Sequence, residues 1–169
     1  MIDIKRKLKK FGPLEFLVLG SLLYVVIMLI WTATTRSAVL QKANDIKSNH
    51  KIIVEFINNE VNECSSNKDG FTTWGENCNS SWNSPKIVKY ILDNFKLVNP
   101  YGIDKPLIQI SQDPRIQAEG KAGQSTDKGI IFVSENNFDS EAGSEWIIGT
   151  CVKSPCVAAG NNELVSVYR

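Results

Sequence analysis

The chain has 169 residues, 43% of them hydrophobic, and a formal net charge of +1, enough for one ordinary domain beyond a membrane segment. Five of its 19 basic groups but only one of its 18 acids (Asp3) lie in residues 1–10. The remainder is therefore mildly acidic, which excludes nucleic-acid binding driven by bulk charge.

The basic leader, residues 1–10, holds Lys5, Arg6, Lys7, Lys9 and Lys10 and runs into an apolar stretch, Leu17 to Trp31. Glu15 is the only charge between Phe11 and Thr35. About 20 apolar residues at about 1.5 Å rise match the roughly 30 Å hydrocarbon core, so this segment predicts one membrane span. By the positive-inside rule the N-terminus stays in the cytoplasm and the rest is exported. A cleaved secretory signal shares the layout, but its apolar core is shorter, about 7–15 residues, and ends at a small-residue site not evident here. Glu15, at the entry to the span, is expensive in lipid unless it is interfacial, neutralised or paired.

The helical pattern continues past the span. Val39, Ala43, Ile46, His50, Ile53, Ile57, Val61 and Cys64 recur at spacings of four and three, and no proline interrupts residues 14–84. That predicts one long helix from about Leu14 to Cys64, apolar all round in its first half and amphipathic in its second. His50, the only histidine, falls on the apolar stripe and reads as a core or boundary residue.

Four cysteines, Cys64, Cys78, Cys151 and Cys156, all follow the span. An even number in an exported domain reads as disulfides, and of the three possible connectivities sequence proximity favours Cys64–Cys78 and Cys151–Cys156. A four-cysteine zinc site needs C-x₂₋₄-C pairs, which this spacing does not supply. The polar stretch from Cys64 to Asn83 reads as a loop whose Phe71, Trp74 and Trp82 cover the core. Ser84-Pro85 predicts an N-cap and first helical position for a shorter amphipathic helix with Ile87, Val88, Ile91, Leu92 and Phe95 on one face. After the turn at Asn99-Pro100-Tyr101-Gly102, four strands are expected: Leu107–Ser111, Gly129–Ser134, Glu145–Val152 and Leu164–Tyr168, the last two as a hairpin. Helices followed by strands predict an α+β domain, an antiparallel sheet of about four strands packed on the amphipathic half of the long helix.

No catalytic constellation is visible: G-x-S-x-G, H-E-x-x-H and the phosphate-cradling G-x-x-x-x-G-K are all absent from the sequence. No catalytic residue, cofactor or metal is expected. The acidic positions Glu135, Asp139 and Glu141 lack the calcium-loop pattern and read as a solvated loop, and Gly120 to Gly129 reads as a mobile one.

Phe11, Leu14 and Glu15 followed by Phe16-Leu17-Val18-Leu19, set after a basic leader and before an uninterrupted amphipathic helix, a disulfide-closed loop and a C-terminal sheet, resemble the type IV pilin and pseudopilin family. The resemblance implies a leader of residues 1–10, the transmembrane half of the helix at 11–35 and an exported globular domain at 36–169. It implies a structural subunit held in the inner membrane, with prepilin peptidase and other pilin-like subunits as partners, in a pilus or a type II secretion pseudopilus. The cleavage and methylation region would be Lys10, Phe11 and Gly12, and Glu15 would meet the N-terminal amine of a neighbouring subunit during assembly. The family carries glycine where this chain has Lys10, so cleavage is expected to be slow or absent. An uncleaved, anchored binding module for a surface, a phage or a secreted substrate is the alternative.

Overall fold

The structure, a computed structural model, describes residues 12–102, 104–119, 128–137 and 144–169. Its first element is a single 54-residue helix, α1, Pro13–Ser66. The chain divides into two compact units, Met1–Leu40 and Gln41–Arg169.

In the first unit the described helix is sheathed in exposed apolar side chains, from Leu14 at 75% to Trp31 at 64%. An 18-residue window there reaches a mean hydropathy of 2.4 with none of it buried. The helix is long and apolar enough to cross a membrane once. Its hydroxyls are already satisfied within the helix: Ser21, Thr32, Thr34, Thr35 and Ser37 each donate to a carbonyl three or four residues back, which suits a backbone with no water to bond.

In the second unit α1 is the spine of an α+β domain. Its buried residues are Ala43, Ile46, His50, Ile53, Ile57, Glu60, Val61 and Cys64, the expected stripe with two changes. Val39 was expected on the core face but is 42% exposed, because periodicity marks which face is apolar and not how far the opposing layer extends. Glu60, a charged residue, is buried instead. The second helix, α2, covers Ser84–Asn94 and buries Ile87 and Ile91, while Leu92 lies on its exposed side. Its N-cap is Asn83, one residue earlier than expected, whose Oδ1 accepts the Lys86 amide at 3.2 Å. Pro85 then sits in the first turn, where a missing N–H leaves no bond unmade.

The sheet comprises β1 (Ile108–Ile110), β2 (Ile131–Asn137), β3 (Ser144–Cys151) and β4 (Asn162–Tyr168), in the spatial order β1-β2-β3-β4. β3 pairs antiparallel with both β2 and β4, giving the expected hairpin, but β1 runs parallel to β2. The sheet is therefore mixed, not antiparallel throughout. A parallel pair needs a crossover, and the β1–β2 connection contains a short helix, α3, Pro114–Glu119, that crosses the sheet. Gly149 in β3 makes room for it: a Cβ there would lie 2.7 Å from the Pro114 carbonyl oxygen and 3.0 Å from Ala118.

Side chains alternate across β3. Trp146 and Ile148 join Ile131, Val133 and Val167 in the core with Ile46, Ile53, Ile57, Ile87 and Ile91, while Gly149 meets α3 on the other face. Covered on both faces, β3 is buried from Glu145 to Cys151. On the α3 face Glu145 is held by Arg115 at 3.0 Å. The hydroxyls of Ser166 and Tyr168 also donate to it, and although burial opposes the charge, these partners hold its pKa below the usual carboxylate value.

Candidate functional site

The sequence motif at the start of α1 takes a definite form. Gly12 is the N-cap, its carbonyl accepting the amides of Glu15 and Phe16 at 3.1 and 3.2 Å. The Gly12 amide in turn donates to Glu15 Oε2 at 2.9 Å. This is the reciprocal half of a capping box, in which a carboxylate at the third helical position satisfies the N-cap amide and complements the positive end of the helix dipole. Pro13, at the first helical position, forgoes no hydrogen bond. Glu15 is thus bonded to its own backbone at the mouth of the apolar segment. Lys10 and Phe11 lie outside the described residues.

The loop that follows α1 is fastened from three sides. The Cys64–Cys78 disulfide closes it, with Cα atoms 5.1 Å apart. Glu60, one turn before Cys64, accepts the Thr73 amide at 3.0 Å and the Thr73 hydroxyl at 2.9 Å. Glu76 accepts the Trp74 indole N–H and the Asn83 amide, both at 2.8 Å, and pairs with Lys86 at 3.1 Å. Burial would raise the pKa of Glu76, but the hydrogen bonds from Asn83, Trp74 and Lys86 and the Lys86 charge outweigh it and hold it low. Trp74 packs edge-on against Trp82, centroids 4.9 Å apart, and Trp82 against Trp146 at 6.0 Å. Trp74 and Trp82 cover the core as expected. Phe71 does not: it is 72% exposed and borders a surface cavity of about 450 Å³ with Asn62 and Asn67.

The end of β4 closes the fourth side. Arg169 lies over the Trp82 ring, 4.3 Å from its centroid, and donates to the Cys78 carbonyl, so that the last strand is joined to the first disulfide loop. The second disulfide, Cys151–Cys156, has Cα atoms 5.2 Å apart and closes the turn after β3.

No family model, curated protein or solved structure matches this chain.

The remaining expected residues occupy separate places. His50 is buried, its Nε2 3.1 Å from the Ile148 carbonyl oxygen, a contact that requires the neutral ring to carry its proton on Nε2. Burial pushes its pKa below 6.5, against the opposing pull of the Ile148 carbonyl and Glu163. Glu163 itself is bridged to Lys47 of α1 at 2.7 Å. Glu135 faces the core side of the sheet opposite Trp146, while Asp139, Glu141 and residues 120–127 lie outside the described residues. Among the described residues no three His, Cys, Asp or Glu side chains converge.

Glu60, Glu76, Arg115 and Arg169 were not anticipated. Only the Asp113-Pro114 pair carried a local signal, since a capping residue followed by proline starts a helix, and Asp113 Oδ1 indeed accepts the Arg115 amide at 3.0 Å.

Proposed function

We propose that this chain is a type IV pilin-like structural subunit. In this reading the apolar half of α1 spans the inner membrane with the N-terminus in the cytoplasm, the domain beyond it faces the periplasm or the exterior, and the helix packs with those of other pilin-like subunits into a filament or its initiating complex. The observation that carries the reading is the single helix Pro13–Ser66, exposed and apolar in its first unit and the core spine of an α+β domain in its second. The helix's apolar exterior is equally suited to lipid and to neighbouring helices of the same kind.

Glu15 has a place in this function. One carboxylate oxygen takes the Gly12 amide, which keeps the group satisfied in the membrane. In this reading the carboxylate also meets a cationic group of a neighbouring subunit. The same capping bond supports a second reading, an uncleaved anchored binding module, because it gives Glu15 a purely local task. A type II secretion pseudopilus would use the same subunit chemistry as a pilus.

Intact-mass measurement of the chain from membranes and from a sheared filament fraction tests the proposal. The expected result is a membrane population that retains residues 1–10, a consequence of Lys10, together with a minor share in the sheared fraction. A Lys10→Gly change is expected to yield a terminus at Phe11, N-methylated, and a larger sheared share. Complete absence from sheared material before and after Lys10→Gly would overturn the subunit reading in favour of the anchored module.

A further inference from the structure

Three buried polar atoms have no hydrogen-bonding partner among the described residues: the indole nitrogens of Trp82 and Trp146, and Oε1 of Glu135. Trp82 is 3% exposed and Trp146 is completely buried. The three side chains are neighbours. Glu135 and Trp146 are directly opposed in the β2–β3 ladder, where facing Cβ atoms lie about 4.5–5.5 Å apart on one side of the sheet. The Trp82 and Trp146 rings have centroids 6.0 Å apart, and the Trp82 backbone amide donates to the Glu135 carboxylate. Folded proteins leave few such atoms unmet, so three in one neighbourhood point to a shared guest.

We propose that Trp82, Glu135 and Trp146 form a buried binding site for a single water molecule, which accepts from both indole N–H groups and donates to Glu135 Oε1. The chemistry of the three atoms selects the guest. Indole N–H groups only donate, so a cation has nothing to gain from two of the three positions. A carboxylate within reach repels an anion. A neutral molecule with two lone pairs and a hydrogen meets all three demands, and water does so with about three bonds, the usual number for a buried water. The surroundings complete the shell of the carboxylate: the Ser144 hydroxyl and the Trp82 amide donate to Glu135, and the charges that face it are those of Arg169 and Glu76. The guest thereby links the disulfide loop, through Trp82, to the two central strands.

The test uses the full chain in detergent. A crystal structure that resolves ordered solvent is expected to contain one water about 2.7–3.2 Å from each of the three atoms. In solution, tryptophan-labelled protein is expected to give water-to-indole cross-peaks of the long-lived type at both Trp82 and Trp146, assigned through Trp82→Phe and Trp146→Phe. Glu135→Gln, which keeps an acceptor oxygen, retains these cross-peaks, and Glu135→Met abolishes or strongly reduces them. If a tryptophan variant fails to fold, the wild-type crystal structure still decides. Indole N–H groups bonded to protein atoms, an empty space between the three side chains, or wild-type protein without the cross-peaks would each overturn the site.

Discussion

Replacing Glu60 with alanine tests how the disulfide loop is held to the long helix. Glu60 is 4% exposed, and its carboxylate accepts two bonds from Thr73, at the amide and the hydroxyl. Hydrogen bonds to a charged group contribute about 1.5–3 kcal/mol each. Thr73 is exposed, so its groups turn to water once the carboxylate is gone, and the loss falls below the sum of the two bonds, to about 2 kcal/mol for the pair. For a domain of this size that corresponds to a fall in Tm of roughly 6–10 °C. Thr73→Ala removes only the hydroxyl bond and is expected to lose about half as much. Glu60→Gln, which still accepts one bond but presents an amide to the other donor, falls between. The assay is thermal unfolding of the full chain in detergent, followed by tryptophan fluorescence, since Trp74 lies next to Thr73. If Glu60→Ala melts with the wild type, or no lower than a substitution of the exposed Glu63, the carboxylate does not fasten the loop and the reasoning fails.

Ile53→Asp or Ile57→Asp places an unpaired carboxylate at a fully buried position, a penalty of several kcal/mol against a typical stability of about 5–15, so the domain is expected to unfold while the exposed Asn58→Asp melts normally; circular dichroism reads both. Gly149→Ala drives a methyl group against the Pro114 carbonyl at 2.7 Å and is expected to destabilise by about 1–3 kcal/mol, measured by denaturant titration. His50, with its pKa lowered from 6.5 by burial, stays neutral in the fold while the unfolded chain takes up a proton, so its contribution is fully present above pH 6.5 and is lost as pH falls toward the folded value. Removing it with His50→Gln is expected to flatten the unfolding-midpoint profile just below pH 6.5; an unchanged profile contradicts the assignment. Glu135 acts with the opposite sign, since burial raises its pKa above 4.5, and stability from this group falls as pH rises from 4.5 through the folded value.

Much of the architecture is written in residues close in sequence. The stripe from Ala43 to Cys64 and the short spans between paired cysteines were legible because helical periodicity and loop closure are local properties. Strand direction was not, because period-two alternation is the same whether a neighbour runs parallel or antiparallel; the parallel β1–β2 pair follows from α3 crossing the sheet at Gly149. Glu60 escaped notice for a related reason. Its partner Thr73 lies beyond the helix in the loop, so only the folded chain reveals why a carboxylate belongs beside Val61 and Ile57. The capping bond of Glu15 was not legible: its rarity in an apolar segment marked the residue, but the bond to the Gly12 amide depends on where the helix begins.

The central claim, that the apolar half of α1 packs with other pilin-like helices, is met most directly by photo-crosslinking in intact membranes from single positions on opposite faces of that helix, Leu19 and Leu23 on one and Tyr24 and Met28 on the other, all exposed in the isolated chain. The account predicts adducts of defined mass, to another pilin-like subunit or a second copy of this chain, from one side of the helix and not the other. Uniformly monomeric chain from every position would contradict it.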